Sequence, residues 1–232
     1  MLRRIMQDLR GDSIVARDGV VGSLKDVYFD DQRWGVRYLV VDTGRWLPGR
    51  KVLVSPAFID TGPEAGGSAP LGTLRLRLSR EEIEHSPPLD SALPVSRQFQ
   101  EAHARYYRYN WYWTEPNLWG AYPGSAAERT DEEAFRQMKA AESKAERSHL
   151  RSTRAVAGYH IEAADGSLGH VEDFALDDEH WTIAGVLVGT RKWLPGRTVL
   201  VAPAAVRAID WRGRKMVLRM SCDDLRRARD AL

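Results

Sequence analysis

Residues that could carry out chemistry are sparse in this chain, and the densest group of them is Asp177-Asp178-Glu179-His180. Carboxylates and imidazoles are common metal ligands, and His160 and His170 lie nearby in the sequence. The spacing matches no established ligand motif, however, and consecutive acids are typical of a solvated turn. The sequence therefore predicts no metal site.

Covalent catalysis has little support in the sequence. The chain contains no Gly-x-Ser-x-Gly motif and no glycine-rich phosphate loop before a helix. Its single cysteine, Cys222, has no neighbouring histidine and is followed by two acids, which disfavour a reactive thiolate. We expect a small, partly buried side chain there. We predict that the protein is not an enzyme, has no catalytic residue and uses no cofactor.

The elements that would position any site come from one segment written twice. Residues 11–59 and 158–206 align without a gap at an offset of 147, with 22 of 49 positions identical. Both copies contain an Asp-Gly turn, an Asp-Asp turn, a tryptophan and the sequence Trp-Leu-Pro-Gly-Arg followed by Val-Leu-Val. A repeat of this length indicates one structural module used twice.

Comparison of the two copies separates features of the module from features of one copy. The first copy has Gln32 and Arg33 where the second has Glu179 and His180, so the acidic group is not part of the module. Asp26 and Asp173 occupy equivalent positions, where they could be buried acids. The ordinary interpretation is a carboxylate that accepts backbone N–H groups.

Within each copy the pattern is one of short strands separated by turns. Asp18-Gly19 is a strong hairpin signal, and Leu74, Leu76 and Leu78 alternate with arginines as in a half-buried strand. Ser79 with Glu82 forms a capping box that begins a short helix. The sequence predicts a mainly β protein of two small β-barrels, each ending in a short helix. Residues 61–70 form a surface insertion.

A different composition separates the two copies. A proline-rich stretch is followed by a predicted helix from Ser96, an aromatic tract over 106–119 and a second predicted helix over 130–149. The tract is too apolar to remain in water, and filling the seam between the barrels is the favoured interpretation. A homodimer or partner interface and base stacking are the alternatives. We expect Tyr106, Tyr109 and Trp113 to be buried.

The Trp-Leu-Pro-Gly-Arg loops have two interpretations. Pro-Gly suits the centre of a type II turn, with the tryptophan closing one end of a barrel. An exposed Trp beside an Arg would instead suit a binding hot spot. The candidate interaction residues from the loops and the aromatic tract are Trp46, Arg50, Tyr106, Tyr109, Trp113, Trp119, Trp193 and Arg197.

The repeated motifs resemble the PRC-barrel domain, a family named for the cytoplasmic domain of the photosynthetic reaction-centre H subunit. The family also includes part of a ribosome-maturation factor and many bacterial proteins. The resemblance implies PRC-type barrels at 1–88 and 150–232, joined by a helical, aromatic-rich linker at 89–149. It also implies a binding or scaffolding role, since the family shares no catalytic set.

The composition and charge of the chain limit the classes of partner that we expect. The net charge of +2 is spread evenly along the chain, so nucleic acid is not expected. No stretch resembles a signal peptide or a transmembrane span, although peripheral membrane contact stays open. The lone cysteine fits a cytoplasmic location. We expect a tandem-repeat scaffold that binds a protein partner or itself. The alternatives are a peripheral component of photosynthetic electron transport, using Asp26, Asp30, Asp173 and Asp177 as surface proton carriers, or a ribosome-maturation accessory factor.

Overall fold

The structure is a computed structural model that describes residues 1–60, 72–87, 97–108, 149–189 and 198–224. These residues are mainly β and form two sheets. The first sheet contains β2 (Ser13–Ala16), β3 (Gly19–Asp30), β4 (Val36–Asp42), β5 (Lys51–Val54) and β6 (Thr73–Arg75). Its strands lie in the order β5-β4-β3-β2-β6, antiparallel except for the parallel pair β2 and β6.

The second sheet repeats this order one module later. It contains β8 (His160–Ala163), β9 (Gly166–Asp177), β10 (Thr182–Gly189), β11 (Thr198–Val201), β12 (Val206–Asp210) and β13 (Lys215–Leu218). The strands lie in the order β11-β10-β9-β8-β13-β12, again with one parallel pair, β8 and β13. The described strands of the two sheets therefore follow equivalent orders.

The predicted barrel is only partly realised by strand pairing. Neither sheet's described end strands pair with each other: β5 does not pair with β6, nor β11 with β12. Short helical turns at Pro56–Phe58 and Pro203–Ala205 instead carry the chain from the last edge strand toward the opposite side. Beyond the first of these turns, Ile59 bridges Leu76. The sheets are therefore curled, but their backbone ladders stay open.

Each module lends its leading strand to the other module's sheet. β1 (Leu2–Arg4) pairs with β9, and β7 (Leu150–Ser152) pairs with β3. The registers are equivalent, since Leu2 faces Asp177 and Leu150 faces Asp30. This exchange relates the modules by an approximate twofold axis, as expected if one motif presents equivalent surfaces to itself.

Two equivalent carboxylates hold the exchanged arms. Asp26 accepts hydrogen bonds from the hydroxyls of Ser152 and Thr153 (2.5 and 3.0 Å) and from the N–H of Arg154 (3.1 Å). It thereby caps helix α3 (Thr153–Val156) at the end of the second module's arm. Such bonds to a charged acceptor are among the stronger ones in proteins. The prediction of a backbone-capping carboxylate is confirmed.

Asp173 does the same for the first module's arm. Its Oδ1 accepts the N–H of Met6 at 2.8 Å, and its Oδ2 lies 3.3 Å from the Nε of Arg4. Met6 lies in the helical turn Ile5–Leu9, the counterpart of α3. Asp173 is only 2% exposed, so this contact is shielded from water.

A single hydrophobic core spans the two modules. Gly35 of the first module forms an antiparallel bridge with Thr182 of the second, and the rings of Phe29 and Phe174 lie 5.3 Å apart. Most buried apolar side chains of both sheets belong to one continuous cluster. Cys222 is fully buried in it, more deeply than the half-buried position expected from the sequence.

Two helices follow the last strand of the first sheet, and the second of them lies on the outer face of that sheet. The capping box of Ser79 and Glu82 begins α1 (Arg80–Glu84), as predicted. Helix α2 (Arg97–Tyr107) begins close to the predicted Ser96. Its described buried positions follow helical spacing: Gln100, His103, Ala104 and Tyr107.

The expectation that Tyr106 is buried is wrong. Its side chain is 38% exposed, and the buried neighbour is Tyr107. The buried face of α2 instead carries Tyr107 together with the polar side chains of Gln100 and His103, which the apolar content of the tract does not indicate. The predictions for Tyr109, Trp113 and Trp119, for the helix at 130–149 and for the 61–70 insertion lie outside the described residues.

Candidate interaction surface

The loop between β4 and β5 forms the turn that its sequence predicts. The N–H of Arg50 donates to the carbonyl of Leu47 at 3.0 Å, and Gly49 has a φ of 76°. Proline at the second position and a left-handed glycine at the third define a type II turn. This turn aims the Arg50 side chain at helix α1.

Trp46 and Arg50 hold helix α1 at its two ends. The guanidinium of Arg80, in the first turn of α1, lies 4.6 Å from the centre of the Trp46 ring. Arg50 donates to the carbonyls of Glu84, at 2.6 Å, and of Ser86, beyond the last turn. A cation at the carbonyl end of a helix is stabilising. These contacts support the structural interpretation of the loop. The interaction role of both residues stays a prediction, and Trp193 and Arg197 lie outside the described residues.

Helix α2 covers the outer face of the first sheet. Beneath it lie Tyr38, Val40, Leu53 and Leu150, which form a small cluster separate from the main core. The Nε2–H of His103 donates to the carbonyl of Leu53 at 2.8 Å, and its ring meets Tyr38 edge-on at 5.1 Å. Strand β4 is therefore buried on both faces, and its residues from Val36 to Val41 are all buried, Arg37 included.

Burial sets the protonation of the two polar residues in this contact. Complete burial lowers the pKa of His103 to about 4, against the opposing hydrogen bond to Leu53, so the imidazole is neutral at pH 7. Burial raises the pKa of Tyr107, whose ring packs 5.1 Å from Phe58. The neighbouring Tyr106 donates its hydroxyl to the carbonyl of Glu82 at 2.8 Å and so ties α2 to α1.

Among the described residues, the same face of the second sheet is the more exposed one; we call it the open face. Leu200 is the counterpart of Leu53 and is 51% exposed, whereas Leu53 is fully buried. Leu2 takes the place of Leu150 in the exchanged strand and is 57% exposed, against 9%. Equivalent positions thus carry leucine in both modules, covered in one and exposed in the other.

Two substitutions between the copies shape the open face. Gly185 replaces Tyr38, and Ala175 replaces Tyr28. The side chain of Leu200 folds over Gly185, where a Cβ would lie 2.5 Å from its Cδ1. The face therefore lacks the two tyrosines of its counterpart, and Leu2 and Leu200 are its exposed apolar groups.

An acidic turn lies at the rim of the second sheet. Asp177, Glu179 and His180 bring one ligand atom each to within 4.8 Å of one another. The Nδ1–H of His180 lies 2.8 Å from Asp177 Oδ2, which raises the pKa of His180 and lowers that of Asp177. This carboxylate–imidazole contact is enough to explain the grouping. His160 faces His170 across β8 and β9, outside this group.

Two of the acids proposed as surface proton carriers are buried and accept hydrogen bonds from the backbone. Asp30 is 5% exposed and accepts the N–H groups of Gln32 and Arg33, both at 2.9 Å. Asp173 is buried against the exchanged arm. The expectation that these two acids lie at the surface is wrong, because turn formation and strand exchange both require their carboxylates inside.

An open cavity of about 400 Å³ lies at the seam between the modules. The residues that line it are Asp31, Gln32, Trp34, Pro203, Ala204, Val206, Arg207 and Arg219. Asp31 is already paired with Arg151 at 2.7 Å and His149 at 3.0 Å, while burial raises its pKa. The lining contains no serine, cysteine or histidine, and its unusual feature is the pair of arginines.

These features define a β-rich module built from two sheets. The family model of the PRC-barrel domain matches residues 6–65, which confirms the resemblance inferred from the repeated motifs. This family is often involved in protein interaction. No curated protein matches the chain. No helix among the described residues is long and apolar enough to cross a membrane.

Sequence reasoning missed the residues that distinguish the two outer faces. His103 and Tyr107 carry the α2 contact, and Leu2 and Leu200 mark the open counterpart. One signal was available: Leu53 and Leu200 are identical in the aligned repeats, so a structural role for one implies an equivalent position for the other. Nothing in the sequence showed that only one of them is covered.

Proposed function

We propose that this protein is a non-enzymatic scaffold in which two PRC-type modules bind a protein partner, or a second copy of the chain, on the outer face of the second sheet. The observation that carries the proposal is the unequal exposure of Leu53 and Leu200, which occupy equivalent positions. A cytoplasmic location fits the single, buried Cys222.

The first module supplies a template for the kind of ligand that this face accepts. Its outer face holds an amphipathic helix, which packs over aliphatic side chains and donates one hydrogen bond to a carbonyl of β5. An amphipathic helix placed against an apolar surface is a recurrent mode of protein recognition. The second sheet presents the equivalent strands, β10 and β11, with Leu200 in the position of Leu53.

The exposure of Leu2 and Leu200 also favours the binding of a partner on this face. Leu2 and Leu200 belong to the few large apolar side chains that are exposed among the described residues. Burying a leucine side chain is worth roughly 1.5–3 kcal/mol, so a partner that covers both gains appreciable binding energy. Apolar side chains near the centre of a contact are where such energy concentrates.

The test compares Leu200→Glu with a matched control, Val20→Glu. Val20 is 60% exposed and lies on β3, away from the open face. Light scattering after size exclusion measures self-association, and affinity capture from the native cell followed by quantitative mass spectrometry measures partners. We expect Leu200→Glu to reduce the retained species by at least tenfold, roughly 1.4 kcal/mol, while the control leaves it unchanged.

Two results would count against the scaffold. One is a strictly monomeric protein that retains no partner. The other is a retained partner whose amount is the same with Leu200→Glu. The photosynthetic and ribosome-maturation alternatives gain no specific support from the site geometry and remain predictions from the family resemblance.

A further inference from the structure

The hairpin formed by β12 and β13 concentrates positive charge. Residues 206–219 contain five basic side chains and one acid, an imbalance hidden by the even charge of longer segments. Trp211 lies at its tip and is 58% exposed. The basic residues are Arg207, Arg212, Arg214, Lys215 and Arg219.

The tip is a defined turn. Asp210 Oδ1 accepts the N–H groups of Arg212 and Gly213, at 3.1 and 3.0 Å, so the one acid is committed to holding the turn. Arg214 adopts a left-handed φ of 48°. The Arg212 guanidinium lies 5.3 Å from the centre of the Trp211 ring. A tryptophan and a cation are thus presented together on an exposed turn.

The sequence of this hairpin is specific to the second copy. Val206 pairs with Leu218 at its base, as Ile59 pairs with Leu76 in the first module. Between Ile59 and Leu76, the first copy contains the stretch 61–72. This stretch is rich in Gly, Ala and Pro and contains no tryptophan and no basic residue. The module therefore does not need the Trp-Arg tip in order to fold.

We propose that the β12–β13 hairpin is an anchor that binds the surface of an anionic lipid membrane. Tryptophan is favoured at the boundary between headgroups and acyl chains, where its ring is buried and its N–H stays near water. Arginines around it are attracted to the negative surface potential of anionic lipids. Lys215 contributes less, because it is paired with Glu162 at 3.1 Å.

The shape of the hairpin favours a membrane over nucleic acid. Single-stranded nucleic acid is usually bound in a groove with several aromatic side chains on which bases stack. Here the hairpin offers a single, exposed aromatic ring at its tip, and Arg212 already lies over that ring. A planar anionic surface can engage the tryptophan and the arginines at once. This proposal is independent of the partner face at Leu200.

The test uses the full chain in cosedimentation with vesicles of phosphatidylcholine alone, or of equal parts phosphatidylcholine and phosphatidylglycerol. We expect binding to the anionic vesicles that weakens in high salt. Trp211→Ala and the double variant Arg212→Gln/Arg214→Gln should each weaken binding at least tenfold. Circular dichroism and an unchanged melting temperature would show that both variants remain folded.

Matched controls separate the hairpin from general charge and apolarity. Arg10→Gln/Arg45→Gln removes two exposed arginines elsewhere, and Val20→Glu alters an exposed apolar side chain on β3, outside the hairpin; both should bind anionic vesicles within about twofold of the unchanged protein. Equal or absent binding to both kinds of vesicle, no loss in Trp211→Ala, or a clear preference for a single-stranded oligonucleotide would each overturn the proposal.

Discussion

Trp34 and Trp181 hold the two modules together by reciprocal hydrogen bonds. The carbonyl of Trp34 accepts the N–H of Ile183 at 2.7 Å, and the carbonyl of Trp181 accepts the N–H of Val36 at 2.9 Å. Both tryptophans have a left-handed φ, 58° and 52°. Such a backbone is costly for a bulky residue and persists where the surroundings impose it. The seam therefore has the symmetry of a homodimer interface within one chain.

Truncation of Trp181 tests the contribution of the seam to stability. Trp181 is 5% exposed in the shared core, whereas Trp211 is 58% exposed. We expect Trp181→Ala to lower the free energy of unfolding by about 3–5 kcal/mol, as large-to-small core substitutions do. Trp211→Ala, as the matched control, should change it by less than about 0.5 kcal/mol. Urea denaturation measures the free energy of unfolding of both variants. Similar losses in the two would contradict a stabilising role of the seam.

Strand exchange predicts that the modules unfold together. Each sheet contains a strand from the other module, and one core spans both, so we expect a single cooperative transition by calorimetry and circular dichroism. Two separate transitions would show that the exchanged strands contribute little to coupling the unfolding of the two modules.

Removal of the Asp26 carboxylate, which holds an exchanged strand, should lower the stability of both modules together. Asp26→Ala leaves the Ser152 and Thr153 hydroxyls and the N–H of Arg154 without their acceptor. Hydrogen bonds to charged groups contribute about 1.5–3 kcal/mol, so we expect a loss of that order in the urea-derived free energy of unfolding. Glu162→Gln, which disturbs only an exposed pair with Lys215, is the control and should have little effect.

The helix clamp formed by Arg50 is tested by its removal. Arg50→Ala eliminates the donors to the carbonyls of Glu84 and Ser86. We expect a loss of about 1–2 kcal/mol in the free energy of unfolding, measured with urea. Arg45→Ala, an exposed arginine in the same loop, should be nearly neutral. If both variants behave alike, Arg50 does not hold α1.

The buried His103 predicts a dependence of stability on pH. Its pKa is about 4 in the folded protein and near 6.5 when unfolded, so the unfolded chain binds the extra proton between these values. Its contribution is therefore full above pH 6.5 and declines as the pH falls toward 4. The loss approaches about 3 kcal/mol, since a tenfold change in proton affinity is worth about 1.4 kcal/mol.

A variant isolates this residue from other acid effects. His103→Gln should flatten the stability profile between pH 6.5 and 4, whereas substitution of the exposed His160 by Gln should leave it unchanged. Urea denaturation across this pH range measures the difference. An unchanged slope in His103→Gln would mean that the imidazole is not held neutral against Leu53.

Much of the local structure follows from the sequence. The Asp18-Gly19 hairpin, the alternating Leu74 and Leu76 strand and the Ser79 capping box depend on neighbouring residues only, and all three form as predicted. The type II turn before Arg50 is likewise set by Pro48 and Gly49. Such elements are readable because their determinants lie within a few residues of one another.

The repeat at an offset of 147 also determined that two equivalent modules exist, but only the tertiary structure decided how they combine. Whether β1 pairs with its own sheet or with β9 depends on contacts between residues more than 170 positions apart, such as Leu2 and Asp177. The exposure of Leu200 depends on whether a helix lies over it, which its own sequence does not encode. Local propensity fixes turns and strands, whereas long-range packing fixes which of two equivalent faces is covered and which is exposed.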